Sequence, residues 1–298
     1  MKEYMDLEKL DVARNRKGFI AALDQSGGST PKALENYGVT KDMYGSDDEM
    51  FDLVHQMRTR ILTSPSFTSE HILGSILFYK TMESKVNGKY TADYLWEDKN
   101  IISFLKVDKG LEDISDDVKL MKDIPDLEEQ LQVARNRGIF GTKMRSVIYG
   151  ANEEGIKKVV KQQFEFAKII CDNGLVPIIE PEVDINLSDK EEAEDILKKT
   201  IIDELNNWNN DDLIMFKFTI PTKENLYLDL YDYESVVRIV ALSGGYDTDK
   251  ACLLLKKNDR MIASFSRALA QNLRYQQTDE EFDKELSDVV KKIYDASI

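Results

Sequence analysis

Eight short apolar runs recur along this chain, each followed by an amphipathic stretch, and that recurrence restricts its fold more than any other feature. The runs are Gly18–Asp24, Ile72–Phe78, Ile101–Val107, Ile139–Ser146, Leu175–Glu182, Leu213–Thr219, Val236–Ser243 and Met261–Ser266. Near-continuous apolar runs of this length predict strands of a parallel sheet covered on both faces, since a half-exposed strand would alternate with polar residues. They start about 35 residues apart on average, against roughly 31 per unit in a (β/α)8 barrel of about 250 residues. An open doubly wound sheet is the competing architecture. It wants a Gly-rich dinucleotide turn after the first strand, and no G-x-G-x-x-G occurs. The expected fold is therefore α/β, a (β/α)8 TIM barrel forming one domain over residues 1–298.

Helical patterns fill the intervals. In Glu153–Cys171 the apolar residues Ile156, Val159, Val160, Phe164, Ala167 and Ile170 recur at spacings of three or four, and Gly174 supplies a stop. Ser188-x-x-Glu191 and Thr278-x-x-Glu281 read as capping boxes. Cys171 and Cys252 fall in such helices as packing residues, and two cysteines cannot build a disulfide framework, so a reducing cytoplasm is expected. The N-terminus is charged where a signal peptide is apolar, and no apolar run approaches the roughly 20 residues that span a bilayer. With 40 Lys plus Arg against 55 Asp plus Glu, the formal charge of −15 argues against nucleic acid and anionic membranes as partners. Only His55 and His71 are present, without H-E-x-x-H or C-x-x-C spacing, so no metal site and no cofactor is expected. His55 reads as a partly buried helix residue and His71 as the start of a strand.

The strands end in charge. Asp24 closes the first, Lys106 and Asp108 the third, and Lys143 and Arg145 sit in the fourth. The fifth ends in Glu180-Pro181-Glu182, the sixth contains Lys217, and the last two run into Ser243-Gly244-Gly245 and Ser264-Phe265-Ser266-Arg267. Buried ions are costly unless paired, and in a barrel these ends converge on the face where active sites lie. Strand alternation lets Lys143 and Arg145 share a face of their strand, as Glu180 and Glu182 share a face of theirs. Pro181, lacking a ladder donor, places its pair at a strand end. A purely structural ring of salt bridges around the mouth is the bland alternative.

Lys217 interrupts an otherwise apolar strand. It either snorkels to the rim or serves as a Schiff-base amine, because burial and a nearby cation such as Lys143 both free a lysine amine. By the same reasoning Arg145 depresses the pKa of Lys143, which makes Lys143 a rival. Two Gly-rich features suggest phosphate. The turns after strands seven and eight occupy the usual barrel phosphate site, and in Ser26-Gly27-Gly28-Ser29-Thr30-Pro31 an N-cap at Thr30 with Pro31 at N1 would leave free amides facing an anion. Together they predict a substrate with phosphate at both ends.

GFIAALDQSGGST, FLKVDKG, GTKMRS, GLVPIIEPEV, MFKFT, LSGG and ASFSRAL follow one another from about Lys17 to the C-terminal helix. In that order they resemble class I fructose-bisphosphate aldolase in its bacterial form. The resemblance implies metal-independent, reversible cleavage of fructose 1,6-bisphosphate into dihydroxyacetone phosphate and glyceraldehyde 3-phosphate, in glycolysis and gluconeogenesis. It makes Lys217 the Schiff-base lysine and Glu180 the acid/base that dehydrates the carbinolamine, with Glu182 orienting Lys217. Asp24 handles the C4-hydroxyl proton and Lys143 is the cation assisting at the carbinolamine. Ser243, Gly244 and Arg267 match the C1-phosphate binders, and Ser26, Ser29, Lys106 and Arg145 the sugar and C6-phosphate side; Gly245 and Ser264, in the two turns, are expected among the phosphate binders. The partners implied are phosphorylated ketoses and trioses; no segment reads as an oligomer interface.

The sequence departs from the animal pattern at three positions: Gln25 stands in place of Glu, Met144 in place of Trp and Ser266 in place of Gly. It also ends at Ile298 without the long tail and terminal Tyr of the animal enzymes, and Tyr294 is expected to pack on a helix. Exchange of the C3 proton is thereby left unassigned. Imine chemistry on a tagatose or monophosphate ketose is one alternative. A sugar-phosphate-binding barrel without catalysis is another, against which the presence of Asp24, Lys143, Glu180 and Lys217 weighs.

Overall fold

The computed structural model describes residues 6–25 and 30–298, with the side chains of Arg267 and Ala268 set aside. The main sheet follows the apolar runs: β1 Phe19–Leu23, β2 Ile72–Leu77, β3 Ile102–Lys106, β4 Gly141–Ile148, β5 Val176–Val183, β6 Ile214–Thr219, β7 Val236–Leu242 and β8 Ile262–Ala263. Each pairs in parallel with the next in chain order. A backbone bond of 3.3 Å from the Ala22 N–H to the Phe265 carbonyl links the first strand to the last, so the sheet curls into a nearly closed (β/α)8 barrel. Helices alternate with the strands around the outside.

The interior has a floor and a mouth, and the two-residue period of a strand connects them. Ile20 and Ala22, Phe104, Ile178 and Met215 belong to one buried apolar cluster inside the barrel. The next inward position on each of those strands carries charge: Asp24, Lys106, Glu180 and Lys217. Residues of opposite parity face the helices. Phe216 and Phe218 are fully buried in the outer layer, stacked at 5.3 Å, with Tyr227 3.9 Å from Phe218. Burying each phenylalanine is worth roughly 1.5–3 kcal/mol, so the two rings fix the strand's rotation and with it the inward direction of Lys217 between them.

Several local expectations hold. The helix Glu153–Asp172 buries Ile156, Val159, Val160, Phe164, Ala167 and Ile170, and the N–H of Gly174, at φ 78°, returns to the Cys171 carbonyl. Thr278 and Glu281 form a complete capping box. Cys171 and Cys252 are buried in helices, and burial pushes the Cys252 thiol up to about 11. His55 is partly buried with Nε2 3.0 Å from the Lys85 carbonyl, and His71 packs edge-on against Tyr294.

Other expectations are corrected. The helix after β5 begins at Lys190, so Ser188 stands one residue too early to cap it, and the Asp189 side chain accepts from the Ala151 N–H instead. Thr30 is the first residue of its helix rather than its cap, and its hydroxyl is buried without a hydrogen bond among the described residues. β4 ends at Ile148 rather than Ser146, because a short strand Val118–Lys119 pairs antiparallel with Val147 and Ile148 and prolongs it. β8 is only two residues long. Among the described residues no helix is long and apolar enough to cross a membrane.

Candidate active site

A cavity of about 900 Å³ opens at the C-terminal end of the strands. Asp24, Lys106, Lys143, Arg145, Glu180, Glu182, Lys217, Ser243, Gly244 and Ser264, ten of the residues singled out from the sequence, line it. At its base Lys143, Glu180 and Lys217 are only 3%, 3% and 4% exposed. Lys143 Nζ is 2.7 Å from Asp24 Oδ2, 3.2 Å from Glu180 Oε2 and 4.0 Å from Asp108 Oδ2. The other oxygen of Glu180 is 3.1 Å from Lys217 Nζ. One carboxylate thus bridges two ammonium groups on the strands either side of it. Register produces this, since β5 lies between β4 and β6 and Glu180 sits beside Arg145, two positions beyond Lys143.

The electrostatics follow from these distances. Burial pushes the Asp24 carboxyl up, but Lys143, with Lys217 and Lys106 further off, outweighs it and holds Asp24 well below the usual carboxylate range. Glu180 is treated the same way: burial raises it, Lys143 and Lys217 lower it more, and the net direction is down. Burial would strip Lys143 of its proton, but Asp24, Glu180 and Asp108 together raise it above the ordinary lysine value. The expected depression of Lys143 is therefore reversed, because three carboxylates stand within 4.0 Å of its ammonium group. Among the described residues no His, Cys, Asp and Glu side chains are grouped to hold a metal ion. The carboxylates of Asp24, Asp108 and Glu180 surround the Lys143 ammonium group instead.

Glu182 is also corrected. Its Oε2 takes the Arg145 Nε at 2.5 Å, so it holds the guanidinium, and the carboxylate on Lys217 is Glu180. Arg145 is raised in consequence, Glu182 outweighing its burial. Lys106 is likewise occupied, with Nζ 2.7 Å from both the carbonyl and Oδ1 of Asp108.

The family model for fructose-bisphosphate aldolase class-I matches residues 8–225, which carry Asp24, Lys143, Glu180 and Lys217. The chain belongs to the class-I fructose-bisphosphate aldolase family. It is a lyase of the aldolase type, and two solved structures share its fold. Over 98% of this chain and 94% of the other, the fructose-bisphosphate aldolase of Plasmodium falciparum, solved with TRAP and a small-molecule inhibitor, superposes at TM-score 0.75 and 20% identity. A Corynebacterium glutamicum protein superposes at TM-score 0.52 and 14% identity, covering 98% of this chain and 92% of its own.

In the aldolase the last two loops sit on the cavity as expected. Gly244, at φ 61°, lines it, and a Cβ there would meet Ile185 Cγ2 at 2.5 Å. Gly245, at φ 119°, continues the turn but does not line the cavity. The Ser264 hydroxyl is buried in the wall without a hydrogen bond among the described residues. Ser26 and Ser29 lie outside the described residues, as does the Arg267 side chain.

Sequence reasoning missed Lys80, exposed at the rim with Nζ 3.7 Å above the Phe51 ring, and Lys109, paired with Asp126 at 3.0 Å. It also missed Arg58, almost fully buried beneath the end of β1. Its guanidinium donates to Thr81 Oγ1 at 2.6 Å and to the Gln25 carbonyl, and burial brings it down to about 10 against the pull of Asp24. Its place in an amphipathic helix gave no signal that it reaches β1.

Proposed function

We propose that the enzyme cleaves fructose 1,6-bisphosphate reversibly to dihydroxyacetone phosphate and glyceraldehyde 3-phosphate through a Schiff base on Lys217, as a cytoplasmic enzyme of glycolysis and gluconeogenesis. The observation that carries the reading is the Glu180 carboxylate bridging Lys217 and Lys143. Lys217 passes a proton to Glu180 across 3.1 Å, its free amine adds to the C2 carbonyl, and a proton shed by the nitrogen goes to the C2 oxygen to give the carbinolamine. With Lys217 uncharged, Glu180 keeps one of its two cations, so its carboxyl holds the proton more readily than in the resting enzyme. That proton goes to the departing C2 hydroxyl, water leaves, and the protonated imine remains. Lys143, fixed as a cation, stabilises the negative charge that develops near the carbinolamine oxygen. Asp24, ionised beside Lys143, accepts the C4-hydroxyl proton. The C3–C4 bonding pair moves into the imine as an enamine, and glyceraldehyde 3-phosphate departs. Protonation at C3 and hydrolysis of the imine release dihydroxyacetone phosphate and return Lys217.

The two ends of the substrate divide between the loops. Ser243, Gly244, Ser264 and Arg267 take the C1 phosphate, Gly245 shaping their turn, and Lys106, Arg145, Ser26 and Ser29 the sugar and the C6 phosphate. Borohydride reduction with dihydroxyacetone phosphate tests the reading. One label per chain is expected on Lys217. A label on Lys143 with Lys217 unmodified reverses the two lysines, and no label on either leaves a barrel that binds sugar phosphates without imine chemistry.

A further inference from the structure

Gln163 lies in the helix Glu153–Asp172, fully buried, on the side that otherwise offers Ile156, Val159, Val160 and Phe164 to the sheet. A buried primary amide is costly unless both its donor and its acceptor are met. Both are met here, and by a single residue. The Glu180 N–H donates to Gln163 Oε1 at 2.9 Å, and Gln163 Nε2 donates to the Glu180 carbonyl at 3.1 Å.

The sheet shows why a side chain is needed there. β5 stays in register with β4 from Val176 to Val183, but pairs with β6 only at Ile178 and Ile179. Pro181 brings no N–H. Further on, Thr219 Oγ1 accepts from the Val183 N–H at 3.0 Å and donates to the Val183 carbonyl at 2.7 Å. Two side chains therefore take up the backbone groups where β5 and β6 part, and Glu180 stands at the near edge of that gap, facing Lys217 across it.

We propose that Gln163 is a positioning residue for Glu180, its amide clasping the backbone so that the carboxylate stays between Lys143 and Lys217. The inference rests on the proposed role of Glu180 as the proton carrier at Lys217. Packing alone would be served by a methionine of the same length. The paired bonds add a fixed height and rotation for residue 180, and a displacement of about 1 Å at a proton-transferring group costs on the order of 100-fold in rate.

Gln163→Met keeps the volume and removes both bonds, and Gln163→Asn keeps an amide too short to reach both groups. Val160→Ala, on the same helix, loses stability with the clasp intact and serves as the control. Active sites are counted by borohydride labelling with dihydroxyacetone phosphate, so that unfolded protein drops out. Per labelled site, both Gln163 variants are expected to turn over about 10- to 100-fold more slowly, with KM for fructose 1,6-bisphosphate within about threefold of the parent. Val160→Ala is expected to keep the parental rate while its Tm falls. Should the methionine variant not fold, the asparagine variant carries the test. Turnover per site within twofold of the parent, or a rise in KM at unchanged kcat, overturns the positioning role. An unmodified Lys217 in the parent overturns the Schiff-base reading instead, and the inference with it.

Discussion

Lys143 and Lys217 approach the same carboxylate from the strands on either side of it, both almost fully buried, yet their surroundings differ. Lys143 also meets Asp24 and Asp108, whereas Lys217 has no second carboxylate within ion-pair distance among the described residues. Removing the charge on Lys217 leaves Glu180 still paired. Removing the charge on Lys143 takes from Asp24 its one ion-pair partner among the described residues, and one of two from Glu180. Two lysines that look alike in sequence therefore divide into a cation the fold needs and an amine whose charge the fold can spare.

The largest effect should come from testing the spare amine. Lys217→Met is expected to cut turnover by at least about 10⁴-fold, the scale of losing a covalent nucleophile, while Tm stays close to the parent. Turnover within 100-fold of the parent, measured under steady-state conditions, would dissolve the distinction between the lysines. Lys143→Met should show the opposite balance. Breaking a buried ion-pair network by deleting one partner costs about 3–5 kcal/mol, so its unfolding free energy in urea should drop by that amount. Its turnover should fall less than that of Lys217→Met. Equal stability in the two variants would contradict the comparison.

Acid titration sharpens it further. The folded pKa of Asp24 lies below its unfolded 3.8, so the stability it adds is present above 3.8 and is lost as the pH falls towards the folded value. Lys143 behaves in the mirror sense. Its folded value is above its unfolded 10.5, so its contribution holds below 10.5 and is lost as the pH rises through the folded value. Unfolding free energies of the parent and Asp24→Asn should differ most near neutrality and converge as the pH is lowered below 4. A gap that stays constant down to pH 3 would mean that Asp24 is not held ionised by Lys143. The smallest effect belongs to the rim. Glu182→Gln frees a half-buried Arg145 from a charged partner, worth about 1 kcal/mol, and should change KM by roughly fivefold with kcat nearly unchanged. A collapse of kcat would return Glu182 to Lys217.

The barrel was readable because each strand is a short apolar run, most of them ending in charge, a pattern local to six or seven residues. The members of the mouth were readable for the same reason, since Asp24, Lys106, Glu180 and Lys217 each stand one inward step beyond an apolar residue. What escaped depends on contacts between distant elements. The pairing of Arg145 with Glu182, the three carboxylates around Lys143, Arg58 under β1 and Gln163 behind Glu180 all join different elements. Helical spacing puts Arg58 between Val54 and Ile61, and Gln163 between Val160 and Ala167, on the buried stripe of each helix, but nothing local says which backbone groups they meet. The Ser188 cap failed for a smaller reason: a motif fixes a spacing, and the helix began one residue later than that spacing requires.

The seam between β1 and β8 has a consequence for how the molecule comes together. Seven neighbouring strand pairs join segments within about a hundred residues of one another, but the bond from Ala22 to Phe265 spans most of the chain. Side chains reinforce it: Arg60 donates to the Gln277 carbonyl and the Asp279 carboxylate, and Arg238 to the carbonyls of Ala13 and Arg16. Ring closure therefore depends on contacts made by the two ends of the chain. Asp24 and Gln25 stand on one lip of that seam, Ser264 and Ser266 on the other, with Gln25 Nε2 bonded to Ser266 Oγ across it. A chain that has built every strand and helix but not yet met its own beginning has no complete active site.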